Sequence, residues 1–377
     1  MTGRAVLLTG SLGLGHDMLA RSMAGLLDRH GWQTRYLNSM ALLGHRSAAA
    51  GQRVFGGIIA IPGLYDGLHF AHLRSGSRVA KLLDQWASAR VVPALRAELD
   101  REPADLVLSV FATGAAAAAR LKTEAPARRT VVLCPDVGAH RLWVTEGTDL
   151  FLVTSAAAAA SVRRFLPRAR IAVIPAPVRA EFYAAPSRQQ ARAALKVPDG
   201  APCVLVIDSG WGFGRVADSV ARLAAAGVHV LAVAGREHAL ERQYRTLARG
   251  VHRVHPFGFS DRVPELMAAA DVVIALPGAS TCAEARVVGR PLLLLDVMPG
   301  HGRDNLLHEL ELGGAGVCGA TPAAVTAATL ALLDDAPPVT SAGRLAPRWE
   351  PAFEAACRQI GLDLDLNRHE LAEARSR

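Results

Sequence analysis

The stretch Ala275-Leu276-Pro277-Gly278-Ala279-Ser280-Thr281-Cys282-Ala283-Glu284 decides how this chain is read. It closes the apolar run Val272–Leu276, which predicts a strand buried on both faces of a parallel sheet. The run breaks at Pro277-Gly278, and a helix is expected from Ser280 or Thr281 with Glu284 one turn in. A glycine followed by hydroxyl residues at a helix start presents unpaired N–H groups and the positive end of the helix dipole, which suits phosphate. An acid just beyond a phosphate is placed to hold ribose hydroxyls. The second half of the chain is therefore expected to grip a nucleotide.

Working outward, β-type runs alternate with helical ones throughout, which predicts α/β layers with parallel sheets. The expected strands of the first half are Ala5–Leu8, Thr34–Leu37, Leu106–Val110, Val131–Cys134, Leu150–Val153 and Ile171–Ile174. Those of the second half are Val204–Ile207, Val228–Val233, Val251–Val254, Val272–Leu276 and Pro291–Leu295. The pattern restarts near Cys203 after a polar linker, Pro186 to Gly200. Two Rossmann-like domains facing a cleft follow: residues 1–178, residues 179–349, and a C-terminal helix and tail over 350–377, the helix from Glu350 to Ile360.

The formal net charge is +8, and lysine stands only at Lys81, Lys122 and Lys196, so the basic side is almost wholly arginine. That balance favours anionic partners. No dense basic run is interleaved with aromatics, so no nucleic acid is expected. The five cysteines are scattered without CxxC spacing, so neither a disulfide framework nor a metal site is expected. The N-terminus does not read as a signal peptide. Val54–Leu68 is interrupted by Pro62 and Asp66, so any membrane association is expected to be peripheral.

Three constellations carry chemistry. Thr9-Gly10-Ser11-Leu12-Gly13-Leu14-Gly15-His16 follows the first strand and precedes a helix predicted over Met18–Leu27. Gly13 and Gly15 allow a ligand to approach the backbone, and His16 is either a base facing the cleft or a histidine satisfied by a carbonyl. The spacing is G-x-x-G-x-G rather than the dinucleotide fingerprint, the second strand ends at Asn38 without an acid, and no tyrosine has lysine four residues on. A nicotinamide cofactor is not expected, nor any other. Cys134-Pro135-Asp136-Val137-Gly138-Ala139-His140-Arg141-Leu142-Trp143 places Asp136 and His140 on a loop beyond a strand, with Trp143 nearby. Either Asp136 caps a turn and Trp143 packs in the core, or an exposed acid, imidazole and indole meet a hydroxyl. In the second half, Asp208-Ser209-Gly210-Trp211-Gly212-Phe213-Gly214 is a second close-approach loop, Arg236 is placed near phosphate, and Phe257-Gly258-Phe259 is suited to frame a base.

These residues resemble the two-domain GT-B glycosyltransferases of family 28, over the span from Gly15-His16 to Asn305, and most closely its diacylglycerol branch (monogalactosyldiacylglycerol synthase and the processive diacylglycerol glucosyltransferases). Pro62-Gly63-Leu64-Tyr65 is similar to that branch's Pro-x-x-Tyr segment. Pro135-Asp136 to His140 and Trp143 resembles its Thr-Asp-x-x-x-His-x-x-Trp motif, and Pro177-Val178-Arg179 with Phe182 its crossover between domains. The resemblance implies a UDP-sugar donor, with Glu284 on the ribose, Gly278, Ser280 and Thr281 on the phosphates, and Phe257 and Phe259 beside uracil. It also implies a sugar pocket lined by Pro299, Gly300, Asp304 and Asn305. His16 or Asp136 would act on the hydroxyl of a lipid acceptor bound by the first domain. Pro277-Gly278-Ala279 departs from the family's Pro-Gly-Gly, and His301-Gly302-Arg303-Asp304-Asn305 from its Gln-Glu-Glu-x-Asn stretch.

The expectation is an inverting hexosyltransferase, independent of metal, at the cytoplasmic face of the cell membrane. Phe55–Leu83 would dock on an anionic membrane surface, packing within the fold being the other account of that segment. Two alternatives stand beside it: a non-catalytic subunit that binds nucleotide sugar or lipid, and a UDP-sugar epimerase on the same fold.

Overall fold

The computed structural model describes residues 3–10, 14–44, 66–73, 77–207, 216–297, 299–335 and 346–365. In the first half β1 (Arg4–Thr9), α1 (Gly15–Arg29), β2 (Gln33–Asn38), α2 (Arg78–Arg101), β3 (Leu106–Ser109), β4 (Arg129–Cys134), β5 (Leu150–Val153) and β6 (Ile171–Val173) build one layer system. The second half contains α3 (Arg188–Leu195), β7 (Cys203–Ile207), β8 (His229–Val233), β9 (Val254–Phe257), β10 (Val272–Ala275), α4 (Ala279–Val288), β11 (Leu292–Leu295), α5 (His301–Glu311) and β12 (Ala315–Cys318). A last helix, α6, spans Glu350–Arg358. The strands form two six-stranded sheets, ordered β2-β1-β3-β4-β5-β6 and β12-β11-β10-β7-β8-β9, and the pairings are parallel.

Parallel strands read as unbroken apolar runs because helices cover both faces. Leu7 of β1 packs with Met23 and Leu27 of α1, while its neighbours Val6 and Leu8 meet Leu95 of α2 and Phe111 on the other face. The loop leaving β1 runs so close to that second face that a Cβ on Gly10 would lie 2.3 Å from the Phe111 ring. Only glycine fits there.

The chain crosses between the sheets twice. After β6, Val178 and Phe182 pack into the core of the second sheet. Beyond 346 the chain returns, and Trp349, Phe353 and Cys357 join Leu7, Met23 and Leu27 in the first core. Trp349 Nε1 donates to the Val178 carbonyl at 2.9 Å, tying the two crossings together.

Five local readings are corrected. The span 186–200 holds α3, opened by a capping box of Ser187 and Gln190, with Arg192 buried and paired to Asp271 at 2.8 Å. The strand expected at Val251–Val254 lies at Val254–Phe257, and it carries Pro256 because β9 is the edge of its sheet. α1 starts at Gly15 rather than Met18, and α4 at Ala279 after Gly278. β12 was not expected at all: Ala-Gly-Val-Cys behind two glycines carries little strand signal.

Candidate functional site

The carboxyl ends of β1, β4 and β10 bring three loops to one place between the sheets. Gly15 opens α1 and Gly278 is the N-cap of α4. The two helix starts abut, for a Cβ at Gly15 would sit 3.4 Å from Ser280 Oγ. The first turn of α4 has no side-chain cap, so its N–H groups are left to a ligand or water.

His16 lies in the first turn of α1, edge-on to Phe111 at 5.1 Å and 6.3 Å from Trp143. Burial lowers its pKa below the ordinary imidazole value, against the opposing pull of Asp136 and of a hydrogen bond to the Val110 carbonyl. Its Nδ1 is buried and has no partner among the described residues. His16 is therefore neutral near pH 7 and has a nitrogen to spare.

Asp136 follows β4. Burial pushes its carboxyl up, but His301, His16, the Asn305 amide and His140 together outweigh that and hold it below the usual carboxylate value. Asn305 of α5 spans the cleft: its Nδ2 donates to Asp136 Oδ1 at 3.1 Å, and its Oδ1 accepts from the Val137 N–H at 3.1 Å. His140 is driven down to about 3, first by burial and then by the neighbouring His69. Trp143 is 2 % exposed and packs with Phe151 and Val153, so of the two accounts of this loop the core-packed tryptophan holds for Trp143, whose ring stands 6.2 Å from His140.

Two histidines at this site were not among the expected residues. His69 sits fully buried in a π-helical turn, Gly67–Leu73, with its ring 6.1 Å from both His140 and His301 and its Nε2 3.9 Å from Asp304. His301 opens α5. Just before it, Gly300 has φ 63° and its N–H donates to Asp66 Oδ1 at 2.6 Å. Segments of both halves thus meet around Pro299 and Gly300. No spacing in sequence announces this cluster; the Pro-Gly-His start of a helix was the one available signal.

Glu284 is buried one turn into α4. Desolvation raises its carboxyl to about 7, opposed by Arg179 at 3.4 Å. Arg179 comes from the first crossing and also lies over Phe182 at 4.9 Å. Arg236 stacks over the half-exposed Phe259 ring at 5.2 Å, at the carboxyl ends of β8 and β9, with Phe257 closing β9. Thr281 is half-buried beside Ser280. The structure brings His16, Asp136, His140, Asp304 and Asn305 together, and Arg236 and Phe259 pair with each other. Gly13, Gly210 and Gly212 lie outside the described residues, as do Pro62–Tyr65.

Two parallel α/β domains with a polar cluster in the cleft between them define the GT-B fold. Acinetobacter baumannii MurG superposes on 96% of this chain and 100% of its own, with a TM-score of 0.56 at 12% identity. Residues 213–324 match the glycosyltransferase family 28 C-terminal domain. The Mycobacterium tuberculosis (H37Rv) UDP-N-acetylglucosamine--N-acetylmuramyl-(pentapeptide) pyrophosphoryl-undecaprenol N-acetylglucosamine transferase is 36% identical over 178 residues, 44% of this chain and 43% of that relative. The processive diacylglycerol beta-glucosyltransferase of Bacillus cytotoxicus is 24% identical over 245 residues, 64% of this chain and 63% of that protein. The chain thus spans less than two thirds of the length of either relative.

Proposed function

We propose that the chain is an inverting glycosyltransferase that moves a hexose from a UDP-sugar to the hydroxyl of a lipid. The observation that carries this reading is the meeting, across the cleft, of the uncapped start of α4 with neutral His16 and anionic Asp136. The second half, 179–349, would hold the donor and the first, 1–178, the acceptor. Ser280, Thr281 and the free N–H groups of α4 receive the diphosphate, whose charge grows as the sugar leaves. Glu284 takes the ribose, Phe257 and Phe259 frame the uracil, and Gly300, Asp304 and Asn305 line the sugar.

His16 is the better base. Its imidazole is neutral and its Nδ1 has no hydrogen-bond partner among the described residues, whereas Asp136 is already engaged by Asn305 and its low pKa makes it a weak proton acceptor. As the acceptor hydroxyl attacks the anomeric carbon, its proton passes to His16, and the Asp136 carboxylate stabilises the imidazolium that forms. The lipid acceptor is supported by the relatives, whose names specify an undecaprenyl-linked and a diacylglycerol acceptor.

A membrane-facing surface is part of the same reading, at the inner face of the cell membrane. Val79, Leu82, Leu83 and Trp86 of α2 are 41, 65, 42 and 48% exposed, and their spacing puts them on one stripe, beside Arg78 and Lys81. No helix among the described residues is long and apolar enough to cross a membrane. Flotation with anionic vesicles, lost on Leu82→Asp and weakened by salt, would support this; binding that ignores both would remove it.

The decisive test of the transferase reading is mass spectrometry of lipids from cells expressing the chain, with UDP release from a panel of UDP-sugars. A new glycolipid that disappears in His16→Ala supports it. UDP-sugar binding without turnover in any lipid extract favours a binding subunit, and a changed sugar without acceptor favours an epimerase.

A further inference from the structure

A cavity of about 800 Å³ opens beside the candidate site, on the flank of α4 away from Glu284. Ala279, Ala283 and Val287 are spaced four apart along α4 and form one wall. Ser280 and Glu284, by contrast, belong to the adjoining face that meets α1 and Arg179. The opposite wall belongs to the first domain and the first crossing: Val137, Val173, Ile174, Pro175 and Val178. At its inner end stand Pro135, Val137 and Asn305, the residues that bracket Asp136 and bond to it. At its outer end Val173 and Leu312 are 54 and 56% exposed, aliphatic side chains left in water.

The volume is that of a small-molecule site; Arg290, His308 and the paired Arg286 and Glu309 stand at its border, and the aliphatic walls between offer a hydrocarbon guest dispersion contacts and release from water. We infer that this cavity receives a hydrocarbon chain of the acceptor, leading from the reacting hydroxyl at Asp136 outward past Val173 and Leu312. The inference rests on the transferase reading for the identity of the guest, but the aliphatic site stands on the walls alone. Because both domains line it, an inserted chain bridges them, and acceptor binding favours the closed cleft in which Asn305 reaches Asp136.

The test is binding of octanol, decanol and dodecanol to the full chain, followed by the thermal midpoint, with UDP titrated separately. The expected result is affinity that rises with chain length, by up to about fourfold per methylene. Ala283→Phe fills the cavity and should weaken dodecanol at least tenfold while leaving the UDP-induced shift intact. Val173→Glu, at the exposed mouth where folding is not at stake, should do the same more weakly. A flat response to chain length in the unaltered protein overturns the proposal, as does dodecanol binding that neither substitution changes. If UDP gives no shift while the alcohols bind and Ala283→Phe abolishes it, the aliphatic site stands and the transferase reading fails.

Discussion

Asp136 and Glu284 are both carboxylates taken out of water at the carboxyl ends of parallel strands, yet they are tuned in opposite directions. Burial lifts Glu284 to about 7, because a single guanidinium at 3.4 Å faces it and Glu181 adds like charge. The same penalty acts on Asp136 and is outweighed by His301, His16, the Asn305 amide and His140. What differs is the company each keeps. One carboxyl shares its proton at neutral pH and suits hydroxyl recognition, while the other stays charged and suits stabilising a cation that forms during a reaction.

The sharpest way to break this contrast is His16→Ala. It should lower turnover by about 10²–10⁴-fold with little change in UDP affinity, measured by UDP release at saturating donor. An equal loss in UDP affinity would mean that His16 holds the nucleotide instead. Asn305→Ala takes away a hydrogen bond to a charged oxygen and leaves Asp136 less well anchored. A fall of about tenfold in kcat is expected, together with an upward move of the acid limb of the pH–rate profile. A third prediction concerns stability. His140 titrates at about 3 when folded and near its usual value of 6.5 when unfolded. Between those limits the unfolded chain carries a proton that the folded chain lacks, so stability is complete above 6.5 and declines as pH falls toward 3. The slope is about 1.4 kcal/mol per pH unit for one proton, and denaturant titrations of His140→Gln should be flatter by that amount. The smallest effect falls on Glu284: UDP affinity should rise two- to threefold (on the order of 0.5 kcal/mol) as pH climbs through about 7, and Glu284→Gln should abolish the rise.

Much of the fold was legible because a buried parallel sheet leaves a strong signature: Leu292–Leu295 or Val272–Ala275 admits no other reading once bounded by Pro and Gly. β12 and β9 show where that signature fails, one being short and glycine-rich and the other carrying a proline that only an edge strand tolerates. Of the site, the loops that end strands were readable, so His16, Asp136 and Ser280 could be named in advance. The cleft-spanning partners could not. Asp66, His69 and His301 lie up to 235 residues apart along the chain and meet only because the domains close on each other. Asn305 and Asp136 were each named, but not the bond between them, which links residues 169 apart.

The paired crossings near Val178 and Trp349 carry one further consequence. A unit tethered by two adjacent stretches of chain can swing like a door but resists screwing or sliding, so its path of approach is nearly one-dimensional. Since α6 is a wall of the first core, with Phe353 and Cys357 against it, a cut at 349 would dismantle that core as well as free one hinge.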